Sequence, residues 1–330
     1  MVNKYDVPSM WTKQMGAVVA KSTELAADAY DTSAGLAEMR AGYLKERKFW
    51  NEGGPQPARV REDQVPTPYG EVMVRTYYPV DADALPCIVY IHGGGFVLGN
   101  PDTHDRITRV LADRTGAAVV SVDYTLAPEG RHPQALEECV AVVEHLRANA
   151  DRWGIVADDV SLAGDSGGAF LSLATFLHLR DVKGSAERFR CLLLFYGFFG
   201  LRDSMSWRLL GGTWDGLTQD DFNYFLNMFF ADPEQIWDPS VDLLSHDLTC
   251  DVPPCYIAAA DLDPLRDDSR CLAAILTHAG QPHRFEEFKG VIHAFLHNSR
   301  MLDEANDALE HAATFYREQA NQPDPATEWR

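Results

Sequence analysis

Short apolar segments separated by helical stretches run through most of the chain, and this rhythm constrains the fold more than any other feature. The apolar segments are CIVYI, AAVVSVDY, DDVSLAGDS, FRCLLLFYG and CYIAAAD. Strand–helix–strand units connect parallel strands through right-handed crossovers. We therefore predict an α/β fold with a central, mostly parallel sheet that is flanked by helices. Residues 71–80 and 283–289 add predicted strands, and the last helix is expected near 299–320.

Two segments lack this rhythm and suggest a division of the chain. Residues 1–52 have helical spacing without a strand, and residues 198–250 are rich in Trp, Phe, Met and Asp. We interpret both as helical parts of a cap, the second one as an insertion. The α/β core is then expected at 53–197 and 251–322, with a frayed tail at 323–330.

The charge balance excludes several classes of partner. The chain has 29 basic and 49 acidic residues, a net charge of −20. Such a charge repels phosphate backbones and anionic membranes, so we expect neither nucleic acid nor a membrane as a partner. Six cysteines without a C-x-x-C pair indicate reduced, mostly buried thiols and no metal site. The N-terminal residues lack the apolar core of a signal peptide, which favours a cytoplasmic location.

The strongest chemical motif is Gly164-Asp165-Ser166-Gly167-Gly168, a match to G-x-S-x-G. It follows the apolar strand VSLAG and precedes the helical segment AFLSLATFLHL. A serine on a strand–turn–helix of this kind projects its hydroxyl from a nucleophile elbow. A phosphate-binding loop is the alternative, but it would need a Lys, and none occurs between 164 and 182. We predict Ser166 as a nucleophile.

A second glycine-rich loop, His92-Gly93-Gly94-Gly95-Phe96, follows the strand CIVYI. Consecutive glycines let backbone N–H groups approach a substrate closely, as an oxyanion hole requires. We predict the N–H groups of Gly93, Gly94 and Gly167 as the donors. His92 is expected to hold this loop rather than to act as the catalytic base.

A serine nucleophile needs a histidine base and a carboxylate that orients it. His293, in the loop after the strand FEEFK, is the predicted base, and His297 is the second choice. The acid is expected in the loop after IAAAD, where Asp263 is preferred over Asp261. Asp267 and Asp268 are interpreted as caps of the next helix. The other histidines after Ser166 lie in helical, inserted or strand segments: His178, His246, His278, His283 and His311.

These motifs together resemble the hormone-sensitive-lipase-like esterases of the α/β-hydrolase fold, known by their GDXG signature. HGGGF, GDSGG, DYTLAPE and DPLRDD carry the resemblance, and the bacterial acetyl esterases of that group are similar over nearly the whole length. The resemblance implies Ser166, Asp263 and His293 as the triad, residues 92–94, including His92, as the oxyanion loop, and a helical cap. Gly167 departs from the family, which usually has Ala there, and this leaves the backbone freer at that donor.

Other functions remain open at this point. GDSGG also surrounds the nucleophile of trypsin-like proteases, but those are disulfide-bonded all-β proteins. An amidase or peptidase on the same scaffold would use the same residues, and so would an esterase with an added regulatory binding role. We predict a serine carboxylesterase without cofactor or metal that hydrolyses small acetyl to butyryl esters through an acyl-enzyme. Homodimer formation is left open.

Overall fold

The computed structural model describes residues 5–26, 35–185 and 188–320. The predicted tail at 323–330 lies outside these residues. The sheet contains eight strands: β1 (Arg59–Thr67), β2 (Gly70–Tyr78), β3 (Leu85–Ile91), β4 (Ala118–Asp123), β5 (Ile155–Asp165), β6 (Phe189–Phe195), β7 (Cys255–Ala260) and β8 (His283–Phe288).

Helices of different lengths lie before, between and after these strands. They are α1 (Lys13–Ala26), α2 (Leu36–Asn51), α3 (Asp105–Thr115), α4 (Gln134–Ala148), α5 (Ala150–Trp153), α6 (Gly167–Leu177), α7 (Met205–Leu209), α8 (Gln219–Phe229), α9 (Arg266–Ala279) and α10 (Asp303–Gln319). Among the described residues, no helix has both the length and the apolar character needed to cross a bilayer.

The strand order is β1-β2-β4-β3-β5-β6-β7-β8. Strands β3 to β8 are parallel to one another, whereas β2 is antiparallel to both β1 and β4. All residues of β7 and all but one in each of β3 and β6 are buried. Helices therefore cover both faces of the central sheet, as continuous apolar strands require. The predicted α/β-hydrolase fold is confirmed.

Strand β1 is absent from the prediction, because its sequence RVREDQVPT gives little sign of a strand. Only Val65 of its nine residues is buried. The strand lies at the sheet edge and pairs with β2 over its whole length, from Arg59 opposite Tyr78 to Thr67 opposite Gly70. A charged edge strand protects a sheet from pairing with other chains, so its polar sequence suits its place.

The two segments interpreted as a cap both contain helices joined by loops. Helices α1 and α2 lie before β1, and α7 and α8 lie between β6 and β7. The two segments touch, since the rings of Trp11 and Trp214 pack edge to face with centroids 6.0 Å apart. Helix α2 also contacts the residue that follows the glycine loop, since Arg40 Nε donates to the carbonyl of Val97 at 2.9 Å. The domain boundaries themselves stay a prediction.

Candidate active site

Ser166 stands at a sharp turn between β5 and α6. Its backbone angles, φ 52° and ψ −122°, are strained for a residue with a side chain. The turn depends on close backbone contacts at two glycines. A Cβ at Gly164 would lie 2.3 Å from the carbonyl oxygen of Gly168, and one at Gly168 would lie 2.0 Å from that of Ile91. Only glycine fits these positions. The geometry of the turn therefore requires both glycines of the G-x-S-x-G motif.

The structure brings Ser166, His293 and Asp263 together in one hydrogen-bonded chain. The Oγ of Ser166 lies 2.8 Å from Nε2 of His293, and Nδ1 of His293 lies 2.7 Å from Oδ2 of Asp263. Asp263 is fully buried, and its Oδ1 accepts the backbone N–H of Leu265 at 2.7 Å. The carboxylate is thus held on one side and directed at the imidazole on the other.

The environment of His293 changes its proton affinity in two opposed ways. Burial lowers the pKa of the imidazole, because it disfavours the charged form. The charge and hydrogen bond of Asp263 raise it, and they prevail with smaller contributions from Asp215 and Asp165. The pKa of His293 therefore lies above its ordinary value. Such an imidazole is a stronger base towards the hydroxyl of Ser166.

Asp263 is the member of the four-aspartate cluster that contacts the histidine. Asp261 instead accepts the N–H of Gly290 at 2.8 Å. The interpretation of Asp267 and Asp268 as helix caps is wrong, since α9 has Leu265 at its N-cap and no side-chain cap. Asp268 Oδ1 accepts the N–H groups of Phe199 and Leu201, and Asp267 Oδ2 accepts that of Ser206. Both aspartates bind the segment after β6 to α9, a long-range role that local sequence does not reveal.

The glycine loop differs from the prediction at one donor. The N–H of Gly93 donates to Oδ1 of Asp165 at 3.0 Å, so it is engaged inside the protein and is not free for an oxyanion. Among the hydrogen bonds of the described residues, none uses the N–H of Gly94, Gly95 or Gly167. Gly95 was not among the predicted donors. Its place in the same run of glycines was the signal that could have found it.

His92 lies in the loop as expected of a residue that holds it. Its Nδ1 donates to the carbonyl of Gly93 at 2.8 Å, and its ring stacks on Tyr124 with centroids 4.4 Å apart. The hydroxyl of Tyr124 donates to the backbone carbonyl of His92. Burial lowers the pKa of His92 to about 3, so the ring is neutral. These contacts fix the loop without placing the ring on Ser166.

The second choice for the base, His297, faces a different carboxylate. Its Nε2 lies 3.8 Å from Oδ2 of Asp165, and burial holds the pKa of its imidazole well below the ordinary value. The remaining histidines after Ser166 lie elsewhere. His246 pairs with Asp181, and His311 pairs with Glu286. The structure thus leaves His293 as the histidine beside the serine.

Asp165 is the centre of a buried polar cluster beneath the elbow. Its Oδ1 accepts the hydroxyl of Tyr90 at 2.7 Å and lies 3.3 Å from Nε2 of His104. Burial by itself would raise the pKa of this carboxyl, but His104, His297 and Tyr90 outweigh it and hold the pKa far below its usual range. The carboxylate is therefore charged and tied to its neighbours.

His104, Asp165 and His297 form the one group within the described ranges whose side chains could hold a metal ion. Their possible ligand atoms lie within 4.8 Å of one another. Asp165 Oδ1, however, already accepts Tyr90 and the N–H of Gly93. These hydrogen bonds indicate that the cluster supports the glycine loop. The absence of a metal stays a prediction.

Aromatic rings close one side of the elbow. A Cβ at Gly95 would lie 2.8 Å from the ring of Phe225, and one at Gly167 would lie 3.1 Å from the ring of Phe96. Phe96 in turn stacks on Phe229 with centroids 3.9 Å apart. Phe225 and Phe229 belong to α8, so the insertion supplies part of the wall beside the free N–H groups.

Comparisons with known proteins give the family of this chain. A family model described as the alpha/beta hydrolase fold matches residues 88–297. The acetyl esterase of Salmonella choleraesuis is 45% identical over 288 residues, which are 87% of this chain and 88% of that protein. The chain belongs to the α/β-hydrolase family. Within it, the chain is a member of the hormone-sensitive-lipase-like group that the sequence resembles.

Solved structures of this α/β-hydrolase family match the fold closely. An esterase from the archaeon Pyrobaculum calidifontis has a TM-score of 0.87 and 30% identity, and the match covers 94% of this chain and 99% of that one. A thermostable carboxylesterase cloned from a metagenomic library has a TM-score of 0.83 and 29% identity, with 89% and 100% covered. The chain is accordingly a carboxylic ester hydrolase, as the sequence predicts.

Proposed function

We propose that this α/β-hydrolase cleaves short-chain acyl esters, acetyl to butyryl, with Ser166 as nucleophile, His293 as general base and Asp263 as the orienting acid. The hydrogen-bonded chain of 2.8 and 2.7 Å that links these three residues carries the proposal. It has the geometry that nucleophilic acyl transfer requires. The name of the 45% identical acetyl esterase points to the same class of substrate.

The reaction follows from the positions of these groups. His293 Nε2 takes the proton of Ser166 as Oγ attacks the ester carbonyl, and Asp263 stabilises the resulting imidazolium. The free N–H groups of Gly94, Gly95 and Gly167 stabilise the oxyanion, with Gly93 held back by Asp165. His293 then protonates the leaving alcohol and activates a water molecule that hydrolyses the acyl-enzyme. No step calls for a metal or an organic cofactor.

The aromatic wall supports the preference for short acyl chains. Phe225 and Phe96 lie against Gly95 and Gly167, which carry two of the three proposed donors. An acyl chain bound at this oxyanion hole must pass these rings. Each buried methylene contributes about 0.8 kcal/mol only where there is room, and overpacking costs about 1–3 kcal/mol where there is none.

A panel of p-nitrophenyl esters from C2 to C12 tests this proposal. We expect kcat/KM to be highest between C2 and C4 and to fall steeply by C8. A monotonic rise to C12, or efficient hydrolysis of emulsified long-chain triglyceride, would contradict it. A panel of matching amides separates the esterase from an amidase on the same scaffold. A cytoplasmic location and the oligomeric state stay predictions, for cell fractionation and sedimentation to test.

A further inference from the structure

Three buried polar atoms lack a hydrogen-bond partner where the N-terminal segment meets the insertion. They are the indole nitrogens of Trp11 and Trp214 and the Oδ2 oxygen of Asp215. The two indole rings are in edge-to-face contact. Proteins seldom bury polar groups without a partner, so each such group calls for an explanation. Here the three atoms belong to two tryptophans in contact and to the residue that follows one of them in sequence.

The loop that carries Trp214 and Asp215 is anchored over the catalytic acid. Oδ1 of Asp215 accepts the N–H groups of Gly212 and Leu217 at 3.0 and 3.1 Å. These two hydrogen bonds close the loop and occupy Oδ1, whereas Oδ2 of Asp215 has no hydrogen-bond partner among the described residues. A Cβ at Gly211 would lie 3.2 Å from the ring of Pro264, the residue after Asp263. The loop is therefore packed against the turn that carries the triad acid.

Trp11 is fixed beside the loop of the catalytic base. The N–H of Thr12, the next residue, donates to the carbonyl of Gly290 at 2.9 Å. Gly290 has no room for a side chain, because a Cβ there would lie 2.7 Å from Cγ2 of Thr12. Gly290 precedes His293 by three residues. The N-terminal segment is thus held against the loop of His293, as the insertion is held against that of Asp263.

Protonation of the leaving alcohol by His293 indicates which part of the substrate lies beside Trp11, Trp214 and Asp215. His293 must protonate the leaving alcohol, so the alcohol portion lies on the side of its imidazole. The acyl portion lies on the other side, beside the rings of Phe96 and Phe225. The Asp215 carboxyl and the His293 imidazole act on each other's pKa through their charges, which agrees with their closeness. Burial, the largest influence, raises the pKa of Asp215 to about 7.

We propose that Trp11, Trp214 and Asp215 form a subsite for the alcohol portion of the ester, and that this subsite selects alcohols with further hydroxyl groups. The inference rests on the proposed function and adds the class of alcohol. Indole N–H groups only donate hydrogen bonds, and the Asp215 carboxyl only accepts them once it is ionised above its pKa of about 7. A vicinal diol, as in a glycerol or sugar ester, offers both and pairs all three atoms. An alkyl alcohol leaves them unpaired, which costs affinity.

Two acetates of the same shape test the subsite. In 2,3-dihydroxypropyl acetate the two hydroxyls stand where 2-methylbutyl acetate has methyl groups, and both yield the same acetyl-enzyme. We expect the wild-type protein to favour the diol by about tenfold or more in kcat/KM, measured by acetate release. Trp214→Phe and Asp215→Asn are each expected to reduce this ratio at least threefold. Trp11→Phe gives an independent reading of the subsite should Trp214→Phe fail to fold.

Matched variants of the same insertion serve as controls. Trp237 is 58% exposed and Asp220 is exposed, so Trp237→Phe and Asp220→Asn are expected to keep the wild-type ratio. A wild-type ratio near one, with both acetates and p-nitrophenyl acetate hydrolysed, overturns the subsite and leaves the esterase assignment standing. Unchanged ratios in folded Trp214→Phe, Trp11→Phe and Asp215→Asn also overturn it. If none of the three acetates is hydrolysed, the proposed function itself is wrong.

Discussion

The carboxylate of Asp165 holds the N–H of Gly93 at 3.0 Å and so ties the glycine loop to the residue that precedes the nucleophile. Asp165 and Ser166 are consecutive, so the elbow positions both the hydroxyl that we propose as the nucleophile and the loop that we propose to stabilise the oxyanion. This hydrogen bond occupies the N–H of Gly93, so in the proposed mechanism the N–H groups of Gly94 and Gly95 are the loop donors that face the oxyanion. The buried histidines around Asp165 keep its carboxylate charged in this role.

This contact leaves no space for a side chain at Gly93. A Cβ there would lie 2.6 Å from the backbone oxygen of Asp165 and 2.7 Å from its Oδ2. We expect Gly93→Ala to displace the loop and to lower kcat about 10²-fold or more, the size of effect seen when one oxyanion donor is lost. Gly16→Ala is the control, because a Cβ there meets no atom within 4 Å. Equal kcat values for the two variants would refute this role of the loop.

Replacement of the nucleophile is expected to abolish turnover while the fold is retained. Ser166→Ala removes Oγ from the chain that His293 and Asp263 complete, and loss of a triad member costs several orders of magnitude in rate. Steady-state hydrolysis of p-nitrophenyl acetate measures the loss, and circular dichroism checks the fold. Activity within tenfold of wild type would show that another residue is the nucleophile.

The choice among the aspartates can be tested within one loop. Asp263→Asn is expected to lower kcat by about 10³-fold or more, because the amide no longer holds the imidazole in the tautomer that accepts the proton of Ser166. Asp267→Asn should stay within tenfold of wild type, since Asp267 contacts Ser206 and not His293. The same kcat assay compares the two variants. A larger loss at Asp267 than at Asp263 would assign the acid elsewhere.

The raised pKa of His293 predicts where activity is lost on the acid side. His293 must be neutral to accept a proton, so kcat/KM should fall as the pH decreases through its pKa. Because Asp263 raises that pKa above the ordinary value of 6.5, the midpoint of this limb is expected above pH 6.5. His311→Gln, at an exposed position, should leave the profile unchanged. A midpoint below pH 6, from kcat/KM measured between pH 5 and 9, would contradict this environment of the base.

The aromatic wall predicts how the acyl preference can be changed. Phe225→Ala removes the ring that lies against Gly95, so longer acyl chains gain space. We expect the ratio of kcat/KM for the octanoate over the acetate p-nitrophenyl ester to rise about tenfold, the equivalent of relieving ~1.4 kcal/mol of overpacking. Asn223→Ala, exposed on the same helix, is the control and should leave the ratio as it is. An unchanged ratio in Phe225→Ala would place the acyl chain elsewhere.

Local pattern was sufficient for much of the fold and for the candidate residues. The buried strands of a parallel sheet are continuous apolar runs, and the elbow around Ser166 requires glycines at fixed positions, so both are visible in the sequence. Strand β1 was missed because an edge strand with Val65 as its one buried residue has no apolar run to reveal it. Its pairing with β2, and not its own composition, makes it a strand.

The amino-acid sequence by itself determined the strand–helix rhythm, the elbow and the short list of acids and bases. The sequence already favoured Asp263 among the four aspartates of one short segment, but only the tertiary structure shows what each of them touches and that Asp263 is the one hydrogen-bonded to His293. The same holds for Gly93, whose N–H meets a carboxylate 72 residues away. Ser166 and His293 are 127 residues apart. Contacts between such distant residues depend on how whole elements pack, and no local spacing encodes them.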